Sequence, residues 1–453
     1  MKTTISSSRL KRVLKIVVIN VALLTLLLEL GSSAAYLVHT GEFFYRRQPR
    51  TTHLVGLALP GQRGTNVNDN VLFQIHPYFG YAQKPTLDFR FPYSTVVHHP
   101  NNWGFDSEHD YPFKRQNEKQ FIIGIFGGSV AHSVAMFELE HHHLTRILQQ
   151  LPYLKDKEII ILSFTVGAYK QPQQLLILNY FLSLGQELDL VINIDGFNDI
   201  ALSYLNHQNG IDISMPNYLV IMPLVDLANK NLTTEEMGLA AEISNDKLKL
   251  SSADEGLKSC RLASSYVLRW LHLRLLTRKY NRDVQRFNAL IQAKVRDDSS
   301  SLVRIYGKNS ALSEAAVLEG IASMWATSSL LMKAGLDSKN SLYFHVLQPN
   351  QYHQTGRRFG EAEQKIAFGG SSAYREGVIR GYPVLLSKTP LLRAANENFF
   401  DATRIFDQTP EAVYSDNCCH YNQAGNQLFA EYIAKSIVEV LAKQPGFAAA
   451  SRR

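Results

Sequence analysis

Cysteine is scarce in this chain of 453 residues: Cys260, Cys418 and Cys419 are the only three, which excludes a disulfide-stapled scaffold. Adjacent cysteines bond only with strain, so a pairing of Cys260 with Cys418 or Cys419 stays open for an oxidising compartment. The spacing lacks the two separated pairs of a zinc site, and no metal is expected. Gly127-Gly128 after a strand has a plainer reading as a phosphate-cradling or structural turn, although no Lys-Ser/Thr follows as in a P-loop. Internal repeats are absent. The net charge is +7, yet part of the excess is the terminal group Lys2, Arg9, Lys11, Arg12 and Lys15. No later basic and aromatic stripe accompanies it, so nucleic acid is not an expected partner.

What is present begins with a long apolar run. From Ile16 to Val38 the chain reads IVVINVALLTLLLELGSSAAYLV, with Glu29 its only charge, and that length can span a bilayer. The basic residues before it predict a cytoplasmic tail and an extracytoplasmic remainder, although Arg46, Arg47 and Arg50 follow on the far side. Ser33-Ala34-Ala35 also offers small residues for cleavage, so a secreted protein released from a signal peptide is the alternative.

The expected organisation is a basic tail and anchor or signal over 1–40, a linker and accessory segment over 41–117, a main domain over 118–445 with an insertion at about 200–310, and a tail over 446–453. HPYFGY (76–81) and NNWGF (101–105) are too aromatic for a disordered linker. FIIGIF (121–126), EIIILSF (158–164), LDLVINI (188–194) and LYFHVLQP (342–349) are continuous apolar runs. About 20 residues after Ser129 and the stretches near 171–184, 312–335 and 424–441 have helical patterning. Buried strands alternating with helices predict an α/β fold on a parallel sheet covered on both faces. Residues 266–292 fit one face of a long helix inside a largely helical insertion.

In such a sheet, ligands bind at the carboxyl ends of the strands, and Ser129, Gly167 and Asn198 follow three successive strands. A serine hydroxyl needs a base, and His420 in SDNCCHYNQAGN (415–426) precedes a C-terminal helix from which a loop can return it to that face. Asp416, four residues earlier, can hold the second ring nitrogen. The backbone N–H groups of Ser129 and Gly167 with the Asn198 amide could supply an oxyanion hole.

Other polar residues have plainer readings. Consecutive His141, His142 and His143 point to different faces of a helix, a solvated tract rather than a metal site. His132 and Ser133 lie one turn beyond Ser129 and line the pocket at most, while Asp195 and Asp199 either brace the Asn198 loop or touch substrate. His98 and His99 have no identifiable partner. Asn231-Leu232-Thr233 matches a glycosylation sequon that occurs often by chance.

GGSV (127–130), TVGAY (165–169), DGFND (195–199) and DNCCH (416–420) in this order resemble the four blocks of SGNH/GDSL hydrolases, over roughly 119–225 and 312–445. The resemblance implies a flavodoxin-like three-layer α/β/α domain, Ser129 as nucleophile, Gly167 and Asn198 completing the oxyanion hole, and His420 as base. Gly128 stands where the family often has Asp; the Gly-Gly-Ser form is common among its membrane-tethered members. The family's acid usually lies three residues before the histidine, where this chain has Asn417. Either Asp416 takes the role through a different loop shape, or a Ser-His dyad operates.

The expected function is an extracytoplasmic esterase or deacylase working through an acyl-Ser129 intermediate without metal or organic cofactor, on O-acylated envelope polysaccharide or lipid. The alternatives are an O-acyltransferase using the same acyl-enzyme and a non-catalytic, glycan-binding scaffold. The membrane is expected as a partner through the N-terminal helix.

Overall fold

The computed structural model describes residues 7–41, 43–46, 57–58, 73–85, 89–90, 97–98, 100–229, 232–293, 301–444 and 447. Lys2, Arg47, Arg50, His99, Asn231 and the tail other than Phe447 lie outside the described residues. The chain divides into two compact units, one of residues 1–70 with 233–294 and one of 71–232 with 295–453. Residues 71–117 thus belong with the sheet, and the segment expected as one insertion is shared between the units.

The helices are α1 (Ser7–Thr40), α2 (Ser129–His141), α3 (His143–Leu148), α4 (Gln173–Ser183), α5 (Phe197–Gln208), α6 (Tyr218–Ala228), α7 (Thr234–Lys258) and α8 (Ala263–Ala293). After them come α9 (Glu314–Asp337), α10 (Glu361–Ala367), α11 (Arg375–Leu386), α12 (Thr389–Ala394) and α13 (Gln423–Leu441). A hairpin of β1 (Phe73–His76) and β2 (Gly80–Gln83) precedes the sheet strands β3 (Gln120–Gly127), β4 (Glu158–Thr165), β5 (Leu190–Asp195), β6 (Leu342–Leu347) and β7 (Asn398–Asp401).

In the first unit, α7 and α8 form a helical pair and α1 packs beside α8. The Lys15–Val38 part of α1 is long and apolar enough to cross a membrane and is almost wholly exposed, consistent with a signal sequence or anchor. Helix α9 passes the same length and composition test, but half of it is buried, and its Val317, Ile321, Trp325 and Met332 are core residues of the second unit.

The second unit is α/β. Its five strands are parallel in the order β4-β3-β5-β6-β7. Every residue of β3 and β5 is buried, which is why their sequences read as unbroken apolar runs rather than alternating ones. Alternate side chains serve opposite faces. Phe121, Ile123 and Ile125 join a core with α2, α3, α9 and α13, while Ile122 and Phe126 join a second core with α4 and α6. The second core also takes Phe79, Tyr81, Phe105 and Tyr111, so these four aromatics upstream of the sheet are packing residues.

Where α9 packs on β6 lies a fully buried ionic cluster. His345 Nε2 meets Asp195 Oδ1 at 2.8 Å and His345 Nδ1 meets Glu397 Oε1 at 2.7 Å, and Trp325 Nε1 donates to Asp195 Oδ1 at 2.7 Å. Burial alone pulls the imidazole pKa down, but the charge and hydrogen bonds of Asp195 and Glu397 outweigh it and raise the value to about 10.

A histidine raised above its unfolded value stabilises the fold fully below the ordinary value near 6.5, and the contribution is lost as pH climbs through about 10. The thermal midpoint of the full chain should therefore fall between pH 7 and pH 10. His345→Gln should cost about 3–5 kcal/mol, the order expected when one partner of a buried pair is removed, and should flatten the fall. A wild-type midpoint that is level over this range would contradict the assignment.

Candidate active site

Strand β3 ends at Gly127, the chain turns at Gly128, and α2 begins at Ser129. The turn is tight enough to need both glycines. Gly127 has φ +143°, and a Cβ there would stand 2.2 Å from Ile194 O; one on Gly128 would stand 2.0 Å from Asn198 Nδ2. Side chains at 127 or 128 would thus force β3, β5 and the start of α5 apart. Ser129, at the first helical position, keeps its N–H outside the intrahelical ladder.

His420 arrives from the loop before α13. Its Nε2 is 2.8 Å from Ser129 Oγ, and its Nδ1 is 2.5 Å from Asp416 Oδ2. The other Asp416 oxygen accepts the backbone N–H groups of Cys418, Cys419 and His420 at 2.9, 3.0 and 3.2 Å. The carboxylate thereby closes a one-turn loop in which residues four apart face each other, and this accommodates the extra residue before the histidine. Asn417 turns elsewhere, its Nδ2 donating to Gly369 O at 2.7 Å.

Burial raises the Asp416 pKa, but the hydrogen bond and charge of His420 with the backbone donors bring it down to about 2. Burial lowers His420, and the Asp416 hydrogen bond and charge more than reverse this, to about 9. A serine hydroxyl held to an imidazole in this way can pass its proton to the ring.

The proposed oxyanion donors lie on the neighbouring strand ends. Asn198, in the first turn of α5, sits beside Gly128 and donates from Nδ2 to Tyr169 O at 2.9 Å. Gly167 has open space where a Cβ would be. Its carbonyl accepts from Tyr81 Oη at 2.9 Å while Tyr169 Oη donates to Tyr81 O at 2.5 Å, so the upstream hairpin braces the loop after β4.

The flanking acids are braces. Asp199 accepts the N–H of Gln171 at 2.7 Å and of Gly196 at 2.9 Å, tying the two loops together. Burial raises its pKa, and burial likewise lowers that of Lys170 nearby. His132 is buried with Nε2 2.7 Å from Asp106 Oδ2, and Ser133 Oγ donates to Ser129 O at 3.0 Å. His142 adopts φ +52° and separates α2 from α3, so the histidine tract spans a helix break; His143 Nδ1 pairs with Arg146 at 2.6 Å.

Sequence reasoning missed the segment after β6. Asn350 Nδ2 donates to Cys418 O at 3.0 Å, Gln351 Nε2 to Asp416 O at 3.1 Å and Tyr352 Oη to Asn417 O at 2.7 Å. Three consecutive side chains thus hold three consecutive carbonyls of the histidine loop. A polar run, NQY, beginning three residues past a strand end was the available signal. Below the loop, Arg357 is paired with Glu363 at 2.6 Å, and Glu363 Oε1 accepts the N–H groups of Val413 and Tyr414 at 2.7 and 3.1 Å.

All three cysteines are free thiols. Cys418 Sγ and Cys419 Sγ lie 3.0 Å apart, and with His420 they form the one group among the described residues whose ligand atoms could share a metal ion. The three stand within the histidine loop itself.

No protein-family model matches the chain, and no curated protein matches it.

The close approach of Gly128 to Asn198 gives a direct test. Gly128→Ala should displace the amide and lower any Ser129-dependent turnover by about 100-fold or more, comparable with the loss of one oxyanion donor. Asn198→Ala should match it, and both variants should melt cooperatively. Undiminished turnover in Gly128→Ala would exclude Asn198 from the reaction.

Proposed function

We propose that this chain is a membrane-tethered, extracytoplasmic serine ester hydrolase of the SGNH/GDSL kind. The observation that carries the reading is the hydrogen-bonded line Asp416–His420–Ser129, with links of 2.5 and 2.8 Å. The flavodoxin-like fold is supported by the sheet. Counted among themselves, its strands run 2-1-3-4-5 with helices on both faces, the order of that doubly wound class. The tether and compartment rest on the apolar helix Lys15–Val38 behind a basic terminus.

In this mechanism Ser129 Oγ attacks the ester carbonyl carbon as its proton passes to His420 Nε2. Negative charge on the carbonyl oxygen meets the N–H groups of Ser129 and Gly167 and the Asn198 amide. The tetrahedral species collapses by breaking the bond to the alcohol oxygen, which takes the proton from His420. Water then attacks the acyl-Ser129 carbonyl, gives its proton to His420, and the acid departs as the proton returns to Ser129. Asp416 stabilises the imidazolium formed twice per cycle and keeps the ring's orientation. The substrate class is an O-acylated polysaccharide or lipid of the envelope, a choice that follows from the tether.

His420 acts as base only when neutral, and its pKa is raised to about 9. Hydrolysis of an acetyl ester by the full chain in detergent should therefore increase with pH up to about 9 and then level. Asp416→Asn should lower the plateau by roughly 100- to 10,000-fold and move the rising limb to lower pH. An added oligosaccharide acceptor should leave acetate release unchanged; diversion of the acetyl group to the acceptor would favour the transferase. Full activity in Ser129→Ala would overturn the proposal.

A further inference from the structure

Glu29 is the only charge in the apolar run, and the reaction has no use for it. It lies fourteen residues beyond Lys15 and nine before Val38, so about 21 Å and 14 Å along the helix axis at about 1.5 Å per residue. In a hydrocarbon layer about 30 Å thick this is beneath the surface on the side away from the basic terminus. A carboxylate at that depth needs partners, and it has them in the first turn of α8. Ala263 N, Ser264 N and Ser264 Oγ donate to it at 2.5, 3.1 and 2.5 Å, and Tyr45 Oη donates as well. The positive end of α8 thus caps the acid. Tyr36 packs edge-on against Phe44 and Tyr266, which are tilted to each other, with centroids 5.1–5.6 Å apart.

These contacts fix the depth of α8. If Glu29 lies within the bilayer, so does the helix start that caps it. Because Ala263 meets Glu29 and Tyr266 meets Tyr36, α8 rises outward along α1. The side chains it carries from that depth up to the interface suit lipid. Leu268, Leu271 and Leu275 share one face and are 68%, 47% and 63% exposed, and Leu262 at the tip of the α7–α8 hairpin is 51% exposed. Among them stand the exposed Arg269, Arg274 and Arg278; Arg274 lies over the Trp270 ring at 4.6 Å. Apolar side chains interspersed with arginines match acyl chains beneath anionic phosphates.

We propose that the tip of the α7–α8 hairpin and the first turns of α8 enter the outer leaflet beside α1 as a second membrane contact. In it Leu262 and Leu268, within about 8 Å of the level of Ala263 along the axis, face acyl chains; Leu271 and Leu275, about 12 and 18 Å beyond Ala263, lie at the interface, where Arg274 and Arg278 face the phosphates of anionic lipid and Arg269 reaches up to the same level. This rests on α1 remaining as an uncleaved anchor, and is independent of the chemistry at Ser129.

The test uses the full chain in vesicles of phosphatidylcholine and phosphatidylglycerol doped with a lipid carrying a diazirine on its acyl chain. After photolysis, adducts are mapped by mass spectrometry. Adducts should fall on both 15–38 and 262–275. Combined Leu268→Gln, Leu271→Gln and Leu275→Gln should reduce the second set about five-fold or more while sparing the first, and vesicles without phosphatidylglycerol should reduce it about two-fold. Wild-type adducts confined to 15–38 would overturn the proposal. Adducts on neither segment would overturn the anchor and the proposal together, leaving the ester-hydrolysis test of Ser129 untouched.

Discussion

Three loops that meet at Ser129 can do so because the strands that carry them are parallel, adjacent and in register at their carboxyl ends. Gly127 stands opposite Thr165 on one side and Ile194 on the other, so the turns after β3, β4 and β5 leave the sheet at one level. That alignment is bounded by a steric limit: the Cα atoms of Gly127 and Gly128 approach neighbouring backbone and the Asn198 amide too closely for any side chain. Registry and the bare turn together bring Ser129, Asn198 and the loop that carries Gly167 to the same end of the sheet.

The fourth contribution comes from 291 residues away in sequence and is held by polar contacts rather than registry. Asn350, Gln351 and Tyr352 grip the carbonyls of the histidine loop, and Asp416 collects its N–H groups. With both donors and acceptors of the loop satisfied, the imidazole is oriented before any ligand arrives, which is the condition for electrostatic preorganisation. The buried Asp195–His345–Glu397 cluster serves the sheet in the same way, pinning the residue from which the Asn198 turn departs.

Much of this was legible from residue patterns. The apolar runs at 121–126 and 158–164 fall within β3 and β4 almost to the residue, and the helix expected over 424–441 begins one residue earlier. Such elements are long and buried, so hydrophobicity alone marks them. The helix expected after Ser129 breaks at His142, whose left-handed backbone no periodicity signals. Strand β7 is four residues at the sheet edge, too short for a pattern. Ser129, Gly167, Asn198 and His420 were visible as strand-end and loop residues, because topology dictates where such positions converge. Asp416 was visible only as one of two options, since the choice between it and Asn417 depends on a loop closed by three backbone hydrogen bonds. The grip of residues 350–352, the pairing of His132 with Asp106 and the tie from Glu29 to α8 all join residues distant in sequence, and single-residue chemistry does not name a partner.

The central claim is that Ser129 is activated by His420. It is tested most directly by treating this chain, in detergent, with a fluorophosphonate and measuring the intact mass. The account predicts a single adduct on Ser129 in the wild type, none in Ser129→Ala, and labelling slowed by about 1,000-fold or more in His420→Ala. An unlabelled wild-type protein, or labelling of Ser129 that proceeds equally fast without His420, would contradict it.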